Sequence, residues 1–470
     1  MCTLDALLGI ISNSVKTIQA KCKARGVPFP SIDEPFDPES DAIRAEVIAD
    51  AAPAIAAAQQ LIATLDNPGV YALRQTFGMH ISSAIGAMLA GNIAEIMRES
   101  DPNGQGMKVE DIAKQDGIDP VRLGRLMRLL TNYHIFTEVN PGAFKHNRIS
   151  STFDTGKSVD EIKKSPADKY LNTAGPAALF GHTTDECFKA AAYLSDYLTD
   201  KGTVTNQKPN GAVLQRAMST HDTLFEWYEQ AGNEARRKRF NVAMRGVSEL
   251  AGPMTTGFDW KTLSKGGVVV DVGGGIGATT MRLADNHPHL CYIVQDRPSM
   301  VDEGEKFWKA ERPEALRSGL VQLQAHDMFQ VNPVRNAAVF LLRCVIHDWS
   351  DHYATTILQM LRASATPDTR LMIVDPLIRY ACPAELQNTD VPGVEWHDAP
   401  APLLPNMGIA GNFMPYHVDF HMLTMTNSQE RTCQEFKKLF EKGGWKLERV
   451  YVNPGVQFPQ LIGCPAQETY

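Results

Sequence analysis

The segment VVVDVGGGIGATT, at residues 268–280, restricts the fold more than any other part of the chain. A run of β-branched residues is followed directly by a glycine-rich turn and the start of a helix. Four later apolar runs alternate with helical patterns: CYIVQD, VQLQAHDMF, AAVFLLRCVIHDW and TRLMIVDP. Strands that alternate with helices predict a parallel sheet, so an α/β domain is expected from residue 246 to 470.

The glycine turn also predicts a ligand site. Gly273, Gly275 and Gly277 lack Cβ atoms, so the backbone there can approach a nucleoside-type cofactor closely. The letters also satisfy the dinucleotide pattern G-x-G-x-x-A, which is a weak signal by itself, and a glycine turn without a ligand is a further alternative. Asp271 precedes the glycines, where a carboxylate is unfavourable beside a pyrophosphate but suits cationic groups. This favours S-adenosylmethionine over NAD.

Two later strand ends extend the predicted cofactor site. Asp296 ends the strand YIVQD, where it is placed to accept hydrogen bonds from ribose hydroxyls. Asp327 and Met328 follow the third strand, in AHDMF. We therefore expect these three residues to line the same cofactor site as the glycines.

A histidine follows the fourth apolar run. In FLLRCVIHDWSD the buried strand is predicted to end at Ile346, which puts His347 at the carboxyl edge of the sheet, where open α/β folds bind ligands. Asp375 ends the next strand and Glu430 lies farther on in NSQERT, so two carboxylates could flank the same crevice. A histidine oriented by carboxylates is suited to proton removal near neutral pH, although a lone histidine here could be only a helix-entry residue.

Residues 108–149 have the pattern of a winged helix. A short helix ends at Gly117, Asp119 and Pro120 begin a second helix, and IFTEVNPGAFKHN alternates around a turn as a β-hairpin does. Arginines recur every three residues on the second helix, so a DNA-reading helix is an alternative; they are Arg122, Arg125 and Arg128. The acidic balance of the chain, 46 Lys and Arg against 54 Asp and Glu, disfavours nucleic acid as a partner.

The N-terminal region is predicted to be helical. Leu4, Leu8, Ile11, Val15 and Ile18 trace one helical face, and Asp5 argues against a signal sequence. An acidic, proline-containing segment at 31–40 is expected to be an extended linker before an Ala-rich helix at 41–65. A core helix is expected at 71–98, and a connecting helical region at 161–245 with a polar break at 202–211.

The eight cysteines show neither a CxxC pair nor a cluster with histidine at metal-ligand spacing. We expect reduced thiols in a cytoplasmic protein, and no metal site. Since no stretch has about 20 uninterrupted apolar residues, no membrane partner is expected either.

The motifs DVGGGIG, HDMF, HDWSD and NSQERT follow a predicted winged helix in the chain, and together they resemble one family. It is the S-adenosylmethionine-dependent small-molecule O-methyltransferases of the caffeic acid O-methyltransferase type, in the longer fungal form, and the resemblance covers residues 70 to 465. It implies a C-terminal Rossmann-like class I methyltransferase domain (246–470) and a mostly helical winged-helix dimerisation domain (66–160). The winged helix then serves dimerisation and pocket closure. Residues 1–65 are expected to form a helical arm, and the apolar faces of its first helix and its Ala-rich helix predict a homodimer through the N-terminal region.

The resemblance also implies residue roles. His347 corresponds to the general base, and Asp375 and Glu430 to the two acidic residues that bracket it. The family's usual Glu is Asp at 375, which is one methylene shorter, so its direct contact with His347 is in question. Arg343 replaces a common Lys and joins Gly273, Asp296, Asp327 and Met328 at cofactor-contacting positions.

Two reactions are compatible with these residues. In methyl transfer to a hydroxyl of a small secondary metabolite, His347 removes the proton and no metal is required. Related fungal pericyclases retain the cofactor but catalyse dehydration, Diels–Alder or Alder-ene reactions of polyketide-type substrates. There Arg343 would polarise a carbonyl and His182 could assist. The intact pair of His347 and Glu430 favours methyl transfer, and the segment from Pro376 to Tyr416 would reshape the pocket in either case.

Overall fold

The structure is a computed structural model that describes residues 3–250, 254, 256–387, 390–452 and 458–467, except for the side chains of 248–250. Cys2 lies outside the described residues. The chain forms two compact units and passes from one to the other several times. Unit 1 comprises Met1–Thr199, Leu214–Val247 and Ala399–Leu403. Unit 2 comprises Asp200–Val213, Ser248–Asp398 and Leu404–Tyr470.

The predicted divisions at residues 65, 160 and 245 stay predictions. The structure places the arm, the winged helix and the start of the connecting region in one unit. It assigns residues 200–213, which include the predicted polar break, to the other unit.

Helices make up most of unit 1. In chain order they are α1 (Thr3–Arg25), α2 (Pro38–Leu65), α3 (Pro68–Thr76), α4 (Gly78–Ala90), α5 (Ile93–Ser100), α6 (Val109–Asp116), α7 (Pro120–Thr131), α8 (Val159–Lys164), α9 (Gly175–His182), α10 (Phe188–Ala192), α11 (Leu194–Thr199), α12 (Val213–Met218), α13 (Leu224–Glu229) and α14 (Glu234–Leu250). A single π-helical turn, Thr183–Cys187, joins α9 to α10.

The N-terminal arm is a pair of helices, α1 and α2, that pack against each other. Cys22 of α1 is buried with Ile43 and Val47 of α2. The face predicted from the spacing of apolar residues is largely exposed, since Leu8 is 61% exposed and Val15 is 42% exposed. Helix α2 also meets the length and hydropathy criteria of a membrane-crossing helix, which is weak evidence by itself.

The single helix predicted at 71–98 is wrong, because the structure has three helices there. Helix α3 ends before Phe77, and α4 ends before Gly91 and Asn92. Asn92 adopts a left-handed conformation at φ 50°, which ends the regular helical path. The buried apolar residues of this stretch lie in α4 and α5, whereas α3 has no buried residue and Leu73 and Phe77 are about half-exposed.

The winged-helix arrangement is confirmed. Helix α6 ends at Gly117 in the left-handed region, and the Asp119 side chain accepts a hydrogen bond from the Arg122 N–H at the start of α7. The hairpin that follows belongs to a three-stranded sheet of order β1-β3-β2. Its strands are β1 (Met107–Lys108), β2 (Thr137–Asn140) and β3 (Ala143–Lys145). Phe144 of β3 is buried among residues of α4, α6 and α7.

Unit 2 contains a seven-stranded sheet of order β11-β12-β8-β7-β4-β5-β6 and a parallel pair, β9 with β10. The strands are β4 (Val268–Val272), β5 (Cys291–Asp296), β6 (Val321–Ala325), β7 (Ala337–Arg343), β8 (Arg370–Val374), β9 (Leu377–Ile378), β10 (Arg431–Thr432), β11 (Trp445–Tyr451) and β12 (Gln460–Pro465). The helices are α15 (Ala278–Asn286), α16 (Pro298–Glu311), α17 (Pro313–Arg317), α18 (Asp351–Arg362), α19 (Gly408–Gly411), α20 (Phe413–Thr426) and α21 (Cys433–Lys442).

Strands β4 to β8 are mutually parallel, as the alternation of strands and helices predicts. Strand β12 runs antiparallel between β8 and β11. The prediction that the fourth strand ends at Ile346 is wrong, because β7 ends at Arg343. Cys344 has a φ of +53°, and a short 3₁₀ turn, Ile346–Asp348, follows, so the backbone leaves the sheet three residues earlier than its apolar run suggests.

Candidate active site

The predicted site residues of unit 2 follow the carboxyl ends of parallel strands. Gly273 follows β4, Asp296 ends β5, and Asp327 lies just after β6. His347 comes shortly after β7, and Asp375 directly after β8. Because these strands are parallel, their carboxyl ends meet at one edge of the sheet, which is where open α/β sheets bind ligands.

The glycine turn has a backbone path that requires glycine. Gly273 and Gly277 have φ values of +69° and +81°. A Cβ on Gly273 would lie 2.9 Å from Val345, and one on Gly277 would lie 2.6 Å from the Trp308 indole nitrogen. A Cβ on Gly275, in contrast, would meet no atom within 4 Å. Val345 and Trp308 therefore pack closely against the turn at Gly273 and Gly277, whereas the turn is open at Gly275. An open backbone position is what a bound cofactor requires.

The Asp296 carboxylate accepts backbone hydrogen bonds from the glycine turn and from the residue that follows Asp296. Its Oδ2 accepts the Gly275 N–H at 2.8 Å, and its Oδ1 accepts the Arg297 N–H at 2.7 Å. Burial raises the pKa of this carboxyl above its ordinary value. Each oxygen retains a second lone pair, so the residue fits the predicted role as acceptor for ribose hydroxyls.

Asp271 lies deeper than its position before the glycines suggests. It is only 2% exposed, its Oδ2 accepts the Thr280 hydroxyl at 2.6 Å, and burial raises its pKa to about 6. Arg343 donates to the hydroxyl of Thr279, the neighbouring residue, at 2.7 Å. The structure thus places a carboxylate and a guanidinium beside the first turn of α15.

Asp327 and Met328 differ in their surroundings. Asp327 is exposed, and its carboxylate accepts the Phe329 N–H at 3.0 Å. The methyl carbon of Met328 lies 3.8 Å from the position of a Cβ on Gly273, so Met328 adjoins the glycine turn. Of these two predicted cofactor contacts, the structure brings Met328 to the turn.

His347 and Glu430 form a direct pair. The ring Nδ1 of His347 lies 2.6 Å from Glu430 Oε1, and the His347 side chain is 12% exposed. This contact does not use Nε2, which lies 3.9 Å from Asp348 Oδ1. The predicted partnership between these two residues is therefore present in the structure, although they lie 83 positions apart in the sequence.

Asp375 holds the backbone of His347 rather than its ring. Its Oδ2 accepts the His347 N–H at 3.1 Å, whereas its Oδ1 has no hydrogen-bond partner among the described residues. Glu430 Oε2 is similarly without a partner in the described part of the chain. The shorter side chain at 375 thus reaches the base indirectly, and two buried acceptors remain for a substrate or water.

The electrostatics of the pair favour a proton on the histidine. Burial by itself lowers the pKa of His347, but Glu430 and Asp348 outweigh this effect and raise it well above its ordinary value. Burial raises the pKa of Glu430 and also that of Asp348, which reaches about 6. We therefore expect His347 to hold its proton to higher pH than an ordinary histidine does.

Cys344 also adjoins this pair, and burial raises the pKa of its thiol to about 12. Potential ligand atoms of Cys344, His347 and Asp375 lie within 4.8 Å of one another. Metal bonds of about 2.0–2.3 Å would hold such atoms closer together, roughly 3.3–3.8 Å apart. The sequence did not indicate this group because its members come from two different strand ends.

His182 belongs to a separate buried cluster in unit 1. Its Nδ1 contacts Glu186 Oε1 at 2.8 Å, and its Nε2 lies 3.2 Å from Cys187 Sγ. Tyr228 donates to Glu186 Oε1 at 2.9 Å, and Arg239 binds the other oxygen of that carboxylate. The predicted assisting role of His182 stays a prediction, but both of its ring nitrogens are already engaged.

Three further residues support the pair and were not identified from the sequence. Asp419 Oδ1 accepts the Glu430 N–H at 2.8 Å, and the Ser428 hydroxyl donates to the His347 carbonyl at 2.5 Å. Arg431 is fully buried beside Glu430. The only sequence signal is the position of Ser428 and Arg431 in NSQERT, because Asp419 lies on the preceding helix, α20.

Comparison with known proteins agrees with this geometry. Residues 196–393 match the O-methyltransferase domain and residues 73–156 match the O-methyltransferase dimerisation domain. The chain is 38% identical to 4-O-methyltransferase 1 of Phanerochaete chrysosporium, over 98% of this chain and 99% of the relative. The chain belongs to the O-methyltransferase family, and it is an enzyme of the S-adenosylmethionine-dependent type.

Solved structures show the same fold at low sequence identity. OxaC in complex with sinefungin and meleagrin is similar with a TM-score of 0.67 and 20% identity, covering 97% of this chain and 98% of that one. A pericyclic reaction enzyme is similar with a TM-score of 0.64 and 18% identity, covering 98% and 100%. The predicted class I methyltransferase fold with an N-terminal helical dimerisation domain is confirmed.

Proposed function

We propose that this enzyme transfers a methyl group from S-adenosylmethionine to a hydroxyl of a small secondary metabolite, with His347 as the general base. The observation that supports this most strongly is the 2.6 Å contact between His347 Nδ1 and Glu430 Oε1. It lies at the same sheet edge as the glycine turn.

The cofactor site is proposed at Gly273, Gly275 and Gly277, with Asp296 as acceptor for the ribose hydroxyls and Met328 beside the turn. The open face at Gly275 and the lone pairs of Asp296 support this assignment. We also retain Asp271, Asp327 and Arg343 as predicted contacts. When bound, S-adenosylmethionine supplies a methyl group on a positively charged sulfur.

A base is necessary because an ordinary phenol has a pKa near 10 and is mostly protonated at pH 7. His347 Nε2 would accept the hydroxyl proton as the oxygen takes up the methyl group that the bound cofactor would supply. Glu430 fixes the ring through Nδ1 and stabilises the imidazolium that results. Asp375 fixes the backbone of His347 through its N–H, so both carboxylates orient the base.

The first test is His347→Ala with labelled S-adenosylmethionine and pathway intermediates. We expect turnover to fall by about 10²- to 10⁴-fold with nearly unchanged cofactor affinity, because only proton transfer is lost. Full activity of His347→Ala would overturn the assignment.

Pericyclic catalysis is the second candidate, and the guanidinium of Arg343 beside the first turn of α15 is the observation that favours it. A cation there could stabilise negative charge that develops on a substrate carbonyl. In that case the product is an isomer or a dehydrated product without label. Arg343→Ala would then reduce the rate or product selectivity more than His347→Ala does.

We also propose that the homodimer supported by the dimerisation domain forms through the N-terminal region, residues 1–65 included. Leu8 and Val15 of α1 are exposed, and so are Ile48, Ile55 and Ile62 of α2, whose seven-residue intervals place them along one side of that helix. Deletion of residues 1–65 should release monomers or aggregates in sedimentation. Sedimentation of the full chain as a monomer at micromolar concentration would contradict this proposal.

The remaining partner and location assignments rest on the sequence. We propose a cytoplasmic enzyme without nucleic-acid or membrane partners. Arg122, Arg125 and Arg128 are all exposed on α7, so salt-dependent DNA binding that their replacement abolishes would contradict the proposal.

A further inference from the structure

The residues of the proposed catalytic pair lie on two chain segments that are distant in sequence. His347 belongs to residues 346–351, which lead from β7 into α18, and Glu430 belongs to residues 427–432, which lead from α20 into α21. Their hydrogen bond spans 83 positions. A contact of 2.6 Å between such segments requires that something fix one against the other.

The Arg431 side chain joins the two segments on both sides of His347. One terminal nitrogen, Nη1, donates to the Ile346 carbonyl at 3.1 Å, and Nη2 donates to the Trp349 carbonyl at 2.7 Å. The Nε donates to Asp351 Oδ1 at 3.0 Å. The fork of the guanidinium therefore spans the short turn that presents the histidine.

The backbone of Arg431 links the same region to the other carboxylate. Arg431 in β10 pairs in parallel with Leu377 in β9, two residues after Asp375. Arg431 is thus the neighbour of Glu430 in the sequence. Its side chain binds the turn that carries His347, and its strand pairs with the segment that follows Asp375.

The ion pair of Arg431 does not account for the cost of burying its side chain. Its side chain is fully buried, which carries a large desolvation cost, whereas its carboxylate partner Asp351 is 48% exposed. An ion pair with an exposed partner contributes little. Besides Asp351, the guanidinium donates to the backbone carbonyls of Ile346, Gln429 and Trp349, and a rigid planar fork is suited to fix such groups relative to each other.

We propose that Arg431 is a positioning residue that sets the contact between His347 and Glu430. The inference rests on the proposed function, because it concerns the base of that reaction. Arg431 touches neither substrate nor cofactor in this scheme and acts through Glu430 and the His347 turn.

Arg431→Met should lower kcat by about 10-fold or more while KM for the substrate and the cofactor changes little, because binding groups are retained. Glu430, Asp348 and Asp375 raise the pKa of His347, so a loosened contact with Glu430 should move the acid limb of the pH–rate profile to lower pH. Loss of the Arg431 charge by itself would act in the opposite direction, so a shift to lower pH reports the loosened contact. Arg431→Lys keeps the charge but loses the fork, and we expect an intermediate effect.

Arg362 provides a matched control in the same unit. It is a half-buried arginine that also donates to two backbone carbonyls, those of Gly444 and Ala466, at 3.0 and 3.4 Å. Arg362→Met should lower the melting temperature without moving the pH profile.

Nitrogen NMR of His347 in the substrate-free protein separates this inference from the proposed function. We expect the titration midpoint of His347 to fall in Arg431→Met, to fall by less in Arg431→Lys, and to stay at its wild-type value in Arg362→Met. A wild-type midpoint in both Arg431 variants would overturn the inference, and if the Met variant does not fold, the Lys variant decides. Absence of methyl transfer by the wild type would contradict the proposed function and leave the NMR comparison valid.

Discussion

Each unit of the molecule contains a buried pair of histidine and glutamate, and the two pairs differ in how completely their atoms are engaged. In unit 1, His182 contacts Glu186 and Cys187 through its two ring nitrogens, and Tyr228 and Arg239 bind the same glutamate. In unit 2, the contact between His347 and Glu430 is 2.6 Å long, shorter than the 2.8 Å contact in unit 1, yet one oxygen of Glu430 has no partner among the described residues.

We expect this difference to separate a pair that stabilises the fold from the pair that we propose as the general base and its partner. A saturated cluster has no acceptor left for a substrate, and its members are expensive to remove because each leaves a buried partner without its bond. An unsaturated pair can take up and release a proton at little structural cost. The histidine pKa alone does not distinguish the two pairs, because it is raised in both. In unit 1, Cys187 and Glu186 outweigh the effect of burial and raise the pKa of His182 to about 10.

The largest effect is expected from Glu186→Ala. This change leaves His182 and Arg239 without their shared carboxylate in a buried site, and breaking such a network costs about 3–5 kcal/mol. We expect that loss in the free energy of unfolding, measured by denaturant titration. An unfolding free energy within about 1 kcal/mol of the wild type would mean that the unit 1 cluster is not structural.

Glu430→Gln should reduce turnover by about 10²-fold with a much smaller loss of stability. The neutral amide no longer raises the pKa of His347, so less proton is bound at a given pH and the acid limb of the pH–rate profile moves to lower pH. The profile of kcat/KM against pH tests this sign. A shift to higher pH would show that Glu430 does not stabilise the imidazolium.

Tyr228→Phe should have the smallest effect of the three changes, and it tests whether the His182 cluster affects stability alone. It removes one hydrogen bond to Glu186, at 2.9 Å, and keeps the aromatic ring that stacks on Phe240. A loss of about 1–2 kcal/mol in stability with unchanged turnover is expected. A large fall in turnover at normal stability would instead give the His182 cluster a role in the reaction.

The fold was predictable where local pattern and topology coincide. Strands β4 to β8 are short apolar runs followed by helices, and parallel pairing brings their carboxyl ends together whatever the details of the loops. The winged helix was predictable because Gly117, Asp119 and Pro120 mark its turn by local chemistry alone.

The remainder depends on contacts that sequence patterns do not encode. The end of β7 was placed three residues too late, because Val345 and Ile346 are apolar for packing outside the sheet. The burial of Asp271 and the backbone contact of Asp375 depend on the neighbours that tertiary structure supplies. The contacts of Asp419 and Arg431 with the segments of the proposed catalytic pair arise in the same way.

Unit 1 also includes a short segment of chain that is translated long after the rest of the unit. It includes Ala399–Leu403, and the Gln60 amide in α2 donates to the Pro402 carbonyl, 342 positions farther along. Domains commonly fold in order as they leave the ribosome. Here the N-terminal unit acquires its last segment only after most of the catalytic unit has been translated. Recombination that exchanged N-terminal regions between relatives would therefore have to bring this short segment with them.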